Sequence, residues 1–328
     1  MIKIDYDTKH SIREAFGAKL AEMGNKYPNL VVLDADLSCS TQTKQFAKVF
    51  PERFFNVGIA EQDLINTAAG LALTGKIPFA ATFAVFATGR AYDQVRVSVC
   101  YQNANVKVIG THGGITVGED GATHQALEDI SLMRGLPNMT VIVPADCNEC
   151  KQAVEFAAQY KGPVYIRVSR NSLPDIYPEN YKFDINKAVV LNEINVNTPP
   201  NLPYPVEEKA VTIISNGDIL SEAIKASELL EAKGIKTEVI SMPVVKPFDK
   251  ETVINSAKKT NFVVTVENHS INGGLGSAVC EALSENYPTK VLRIGMQDEF
   301  GQSGSVNELL KHYGLDGESI AKRIMENL

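Results

Sequence analysis

Strand-like and helix-like segments alternate along almost the whole chain, and this alternation limits the fold more than any other feature. Short apolar runs stand at 29–36 (NLVVLDAD), 53–58 (RFFNVG), 77–83 (IPFAATF), 106–112 (VKVIGTH) and 139–146 (MTVIVPAD). Between them lie stretches with helical spacing. From Ala60 to Leu73, the residues Leu64, Thr67, Ala68 and Leu71 recur at i, i+3, i+4 and i+7. Asp146 precedes a second such stretch, 147–160, and reads as its N-cap. This β–α–β order predicts a mostly parallel sheet with helices on both faces.

The alternation breaks once. Residues 195–208 carry Pro199, Pro200, Pro203 and Pro205. Prolines that dense fit neither a helix nor a central strand, so a linker is expected there. Alternation then resumes with runs at 210–215, 237–242, 261–267 and 290–295, separated by helical stretches at 221–234 and from about Leu275. The expected organisation is α/β in two domains. A doubly wound, mostly parallel-sheet domain spans 1–194, the linker 195–208, and a smaller α/β domain 209–328.

A chain of 328 residues is long enough for two such domains. Its net charge of −7 argues against a nucleic-acid binder, which needs a basic face. Apolar stretches are short and interrupted, so no membrane-spanning helix is expected. The first residues, MIKIDYDTKHSIREAF, show no apolar core of a signal peptide. With five cysteines in such a chain, reduced thiols and a cytoplasmic location are the expectation.

Several segments carry chemistry. Glu61 follows a strand and opens a helix, where a helix N-terminus favours a carboxylate and where α/β proteins bind ligands. On position alone, the plainer reading is a solvated first-turn acid. Residues 111–129 (THGGITVGEDGATHQALED) gather His112, Asp120 and His124 among four glycines. Imidazoles beside carboxylates suit acid–base work near neutral pH. The spacing does not place these groups on one helix face, which disfavours a metal site. A flexible surface loop is the alternative. Phe83 and Phe86, three apart at a helix start, suit either a stack on a planar heterocycle or plain core. Cys147 and Cys150 read as incidental reduced thiols, and 272–277 (NGGLGS) as tight strand–helix packing rather than a phosphate cradle.

Taken together, RFFNVGIAEQ, THGGITVGEDGATHQALEDISLMRGLPNMTVIVPAD and VYIRVSR, in that order, resemble the C-terminal half of transketolase. The resemblance covers nearly the whole chain, as a pyrimidine-binding domain followed by the transketolase C-terminal domain. The length is similar to the C-terminal subunit of a split, two-polypeptide transketolase. It implies thiamine diphosphate as cofactor and transfer of a two-carbon ketol unit from a ketose phosphate to an aldose phosphate, as in the pentose phosphate pathway. It assigns Glu61 to the aminopyrimidine, Phe83 and Phe86 to the walls around that ring, and Asp36 to the cofactor's vicinity. His112, Asp120 and His124 match substrate-contacting positions, with His112 and His124 taking part in catalysis. Arg13, Ser40 and Arg170 match the set that holds the sugar phosphate, with Arg167 competing for Arg170's place.

The family also anchors the diphosphate through a metal ion and a GDG motif followed by a distant Asn. No GDG occurs here; 119–121 reads EDG and 216–218 reads NGD. The resemblance therefore implies that Mg2+ or Ca2+ is held by a partner, an N-terminal transketolase subunit, in an α2β2 heterotetramer. Gly89 and Arg90 stand where full-length transketolases often have another aromatic. Alternatives on the same fold are the E1 β subunit of a 2-oxoacid dehydrogenase and 1-deoxyxylulose-5-phosphate synthase. The 123–128 stretch (THQALE) and the arginines favour sugar phosphates. A scaffolding subunit is the non-enzyme alternative.

Overall fold

The computed structural model describes residues 4–194 and 209–328; the expected linker, 195–208, lies outside the described residues. The strands in chain order are β1 (His10–Ser11), β2 (Leu30–Asp34), β3 (Phe54–Asn56), β4 (Ile77–Phe83), β5 (Lys107–Thr111), β6 (Thr140–Ile142), β7 (Val164–Val168), β8 (Ser172–Leu173), β9 (Val189–Asn192), β10 (Ala210–Ser215), β11 (Lys236–Ser241), β12 (Val244–Lys246), β13 (Phe262–Ser270) and β14 (Lys290–Met296). Seven form one sheet in the order β12-β6-β7-β5-β4-β2-β3, and five form a second in the order β14-β13-β10-β11-β9. Every pairing within these two sheets is parallel except those of the edge strands β12 and β9. The fold is the expected two-domain α/β architecture.

Every residue of β2, β4, β5 and β7 is buried, as a sheet covered on both faces requires. Side chains alternate between the faces. Leu30, Val32, Phe79, Ala81 and Ile109 pack with Ile12, Phe16 and Leu20 of the helix Ile12–Lys26 and with Val154 and Ala157 of Cys147–Gln159. Val31, Leu33, Ala80 and Val108 pack on the other face with Leu64, Ile65 and Ala68 of the helix Glu61–Leu73. Each fully buried Leu, Ile, Val or Phe among these contributes about 1.5–3 kcal/mol. Asp146 caps its helix as expected: Oδ1 accepts from the Glu149 amide at 2.8 Å, and Oδ2 from the amides of Ile176 and Tyr177.

Two edge strands cross the division expected from the sequence. β9 precedes the proline-rich stretch but pairs with β11 in the second sheet. β12 follows it but pairs with β6 in the first. The seam is polar. Asp218 accepts from Thr116 at 2.5 Å, from Ser169 at 2.9 Å and from Asn268 at 3.1 Å. Asn268 in turn accepts from the Ile115 amide at 2.9 Å. Gln125 donates to the carbonyls of Ile115, Gly118 and Gln302. Residues 112–118 are therefore buried under the second domain, and only part of 111–129, including Glu119 and Asp120, is exposed. The surface-loop alternative fails for this stretch because seam contacts satisfy its backbone. Gly113 and Gly114 allow the close approach: a Cβ there would collide with the Arg167 guanidinium and the Asn268 amide respectively.

The sequence NGGLGS closes on a protein carboxylate, in line with the packing reading. Glu267 accepts from the amides of Leu275 and Gly276 at 2.8 and 2.9 Å. Burial lifts its pKa to about 7 even against those two donors. Cys147 and Cys150 are buried free thiols, and burial pushes the Cys147 pKa up to about 12. Among the described residues no helix is long and apolar enough to cross a membrane.

Candidate active site

The C-terminal ends of five adjacent parallel strands lie along one edge of the sheet. β2 leads to Asp36, β3 to Glu61, β4 ends at Phe83, β5 leads to His112, and β7 leads to Arg170. Ligand sites of open α/β sheets form at this edge. Asp36 and His112 both hold left-handed backbone conformations, with φ of 63° and 60°. Such strain, on the order of 1–3 kcal/mol per residue, persists where surrounding contacts dictate it and gathers at functional sites.

Glu61 is the first residue of its helix and is 3% exposed. The solvated-acid alternative is thereby overturned: the apolar stripe of Leu64, Ile65 and Ala68 draws the helix onto the sheet and carries its first turn inward. Its Oε2 accepts from Arg90 Nη1 at 3.2 Å. Its Oε1 has no hydrogen-bond partner among the described residues. Arg90 links Glu61 to Phe86, its guanidinium carbon 4.8 Å from the centre of that ring, and the Phe83 and Phe86 rings are 6.0 Å apart and within 10° of parallel. Phe83 closes strand β4 rather than starting a helix, because β5 carries the ladder as far as the Phe83–Thr111 pair, two residues beyond the last pairing with β2 at Ala81. The His112 ring stacks on Phe83 at 3.9 Å, and His124 meets both phenyl rings edge-on at 6.1 and 5.6 Å.

His112 is buried and donates to or accepts from the Thr111 hydroxyl at 2.9 Å. Burial, with Arg13, Arg170 and His124 nearby, drops its pKa to about 3. At neutral pH it is an uncharged imidazole. Asp36 is exposed, and its Oδ1 accepts from Asn56 Nδ2 at 2.9 Å. Asn56 Oδ1 in turn accepts from the amides of Asp36 and Gly58. Asn56 thus ties β2 to the loop that delivers Glu61. It sits inside the RFFNVG run, yet nothing in its spacing marks it as a support.

Arg13, Ser40 and Arg170 lie far apart in the chain and meet in the fold. Arg13 donates through Nη1 to the Ser40 carbonyl at 2.7 Å and through Nε to the Arg170 carbonyl at 3.1 Å. Burial, then the Arg170 cation, lowers the Arg13 pKa. Arg170 is one-third exposed and donates to the Val117 carbonyl and to Glu119, 3.1 Å away. Arg167 is committed elsewhere. Its side chain is 6% exposed, its Nε pairs with Asp129 at 3.3 Å, and its Nη2 donates to the Ala126 carbonyl. Asp120 is exposed and His124 half-buried, both on the segment that Gln125 fastens. Among the described residues no three His, Cys, Asp or Glu side chains are grouped to hold a metal.

The family model "Transketolase, pyrimidine binding domain" matches residues 8–175, and "Transketolase, C-terminal domain" matches 202–320. The chain belongs to the transketolase family. It is 52% identical to a provisionally named transketolase C-terminal section of Methanocaldococcus jannaschii, over 97% of this chain and 96% of that one. It is 41% identical to a 6-deoxy-6-sulfo-D-fructose transketolase subunit of Clostridium sp. strain MSTE9, over 97% and 94% of the two chains. Among solved structures, a split-gene transketolase described as an inactive beta4 tetramer superposes with a TM-score of 0.86. It is 47% identical, with 96% of this chain and 97% of that chain covered. This is a subunit of the split type, and the transketolase family depends on thiamine diphosphate. The residues present fit one end of that cofactor. A buried carboxylate with one unpartnered oxygen, linked through Arg90 to one of two near-parallel phenyl rings, suits a flat ring bearing a hydrogen-bonding nitrogen.

Proposed function

We propose that this chain is the pyrimidine-binding half of a two-chain transketolase, which moves a two-carbon ketol unit from a ketose phosphate to an aldose phosphate. The observation that carries the reading is the buried Glu61 carboxylate, linked through Arg90 to the near-parallel Phe83–Phe86 pair at the sheet's C-terminal edge. Glu61 holds the aminopyrimidine nitrogen, and its charge contact is strong because water is excluded. The two phenyl rings fix the plane of the ring, and Asp36 lines the approach. Thiamine diphosphate, once bound, supplies the carbon nucleophile that cleaves the C2–C3 bond of the ketose.

The remaining roles belong to side chains of this subunit. His112, uncharged, donates a hydrogen bond to a substrate oxygen rather than a full proton. His124 faces the same space and serves a sugar hydroxyl. Asp120 accepts from the acceptor's hydroxyl and orients it. Arg13, Ser40 and Arg170 take the terminal anion; guanidinium groups suit phosphate, and the sulfonate named for the Clostridium relative is of the same chemical class. The diphosphate end, with Mg2+ or Ca2+, falls to an N-terminal partner subunit, and an α2β2 heterotetramer is the assembly proposed. The description of the split-gene neighbour as inactive in its beta4 form supports the need for a partner. Five free thiols, two of them close in sequence and buried, suit a cytoplasmic protein.

The test is Glu61→Gln in the complex reconstituted with the partner, assayed for ketol transfer between sugar phosphates and for decarboxylation of 2-oxoacids. Turnover is expected to fall by about 10²–10⁴-fold, the range of a general acid–base contribution. Near-normal turnover removes Glu61 from the mechanism. Activity on 2-oxoacids alone rejects ketol transfer.

A further inference from the structure

We propose that Arg90 is a place-holder: it occupies the contacts that the aminopyrimidine ring needs and yields them as the ring enters. The inference rests on the reading of Glu61, Phe83 and Phe86 given above. Arg90 ends a wide helical turn, Phe86–Arg90, closed by the Ala91 amide on the Phe86 carbonyl at 3.2 Å. This i→i−5 turn, a widening found often at functional sites, brings the side chain back over Phe86. The guanidinium carbon stands 4.8 Å from the centre of the Phe86 ring, while Nη1 reaches Glu61 Oε2 at 3.2 Å. One planar cation thus makes a hydrogen bond to the carboxylate and a face contact with the aromatic wall. A flat, protonatable heterocycle bonded to Glu61, even through the free Oε1, and lying on Phe86 needs the ring face that the guanidinium covers, so the two compete for one place.

The pair is asymmetric. The Glu61 side chain is 3% exposed, whereas that of Arg90 is 53% exposed. The acid is fixed by its helix, and the cation can swing into water. Contact is through one nitrogen rather than a two-pronged fork, which makes release easy. Meanwhile Arg90 keeps a buried carboxylate from standing unpaired. A place-holder taxes binding: if it is closed in nine molecules of ten, apparent cofactor affinity falls about tenfold.

The experiment titrates thiamine diphosphate with Mg2+ into the reconstituted complex by calorimetry, with stopped-flow association rates. Wild type is compared with Arg90→Leu, Arg90→Lys and Glu61→Gln. Arg90→Leu is expected to bind several-fold more tightly and faster than wild type, with Arg90→Lys in between and Glu61→Gln weaker. Unchanged or weaker binding by Arg90→Leu, in a protein with wild-type circular dichroism, overturns the place-holder and makes Arg90 a partner of the bound ring. Should Arg90→Leu fail to fold, Arg90→Lys decides, since lysine keeps the charge but cannot lie flat over Phe86. If wild type binds no cofactor, or Glu61→Gln binds as wild type does, the site reading itself is wrong and the inference goes with it.

Discussion

Replacing Arg167 and Arg170 separately by methionine should produce two different failures, although the residues are three apart. Arg167 is committed to a buried network: Nε to Asp129 at 3.3 Å, Nη2 to the Ala126 carbonyl at 3.1 Å, with Tyr165 also donating to Asp129 at 2.6 Å. Asp129 is fully buried, and its Oδ1 already has no partner. Methionine fills the stem's volume but leaves that carboxylate without its cation. Breaking a buried pair in this way costs about 3–5 kcal/mol. At roughly 2–4 °C per kcal/mol for a domain of this size, Tm should drop by about 6–20 °C. Arg170 is one-third exposed, and its ion pair is with the well-exposed Glu119, so Arg170→Met should melt close to wild type. Its loss should appear in binding instead. A hydrogen bond to a charged group contributes about 1.5–3 kcal/mol, which raises KM for a sugar phosphate about 10- to 100-fold. KM for an unphosphorylated aldose should barely change. Differential scanning calorimetry and steady-state kinetics on the reconstituted complex measure both. The reasoning is refuted if Arg167→Met melts as wild type while losing phosphate preference, because Arg167 would then face the anion.

Other outcomes follow from the same structure. Thiol titration of the native chain should find Cys39 fast, Cys280 slower, and Cys100, Cys147 and Cys150 inert until unfolding, since burial shields them and raises their pKa values. Glu267 binds its proton more tightly folded, at about 7, than the ordinary 4.5. Its stabilising contribution is therefore complete below pH 4.5 and lost as pH rises through about 7. Glu267→Gln should flatten that part of the stability–pH curve in urea unfolding, and an unchanged slope would assign it to other groups. With His112 neutral down to about pH 3, the kcat/KM profile between pH 5 and 8 should keep its shape in His112→Asn, though its height falls. A shifted acid limb would show that His112 titrates there.

The two-domain α/β plan was legible because its central strands are buried on both faces and so read as unbroken apolar runs. The edge strands β9 and β12 were not legible. They are four and three residues long, and their pairing depends on chain that comes from the other side of the proline-rich stretch. Glu61 was visible as a helix-opening acid, but its burial comes from tertiary packing that spacing cannot convey. The meeting of Arg13, Ser40 and Arg170 was expected only through the family resemblance; no local pattern links them. The fastening role of Asp218, Asn268 and Gln125 was not legible because isolated polar residues carry no periodic signal, although together they hold the segment bearing Asp120 and His124. Arg90 stood out merely as a departure from the family's aromatic pattern.

The exchange of β9 and β12 interlocks the halves of the molecule. A fragment ending before residue 209 would carry β9 with no ladder to join and would lack β12, leaving β6 as a raw margin inviting foreign strands. A chimaera spliced at the proline-rich stretch would inherit mixed parentage in both sheets. A change at the rim of either sheet is thus felt by chain from the other half, and neither half closes its own sheet unaided.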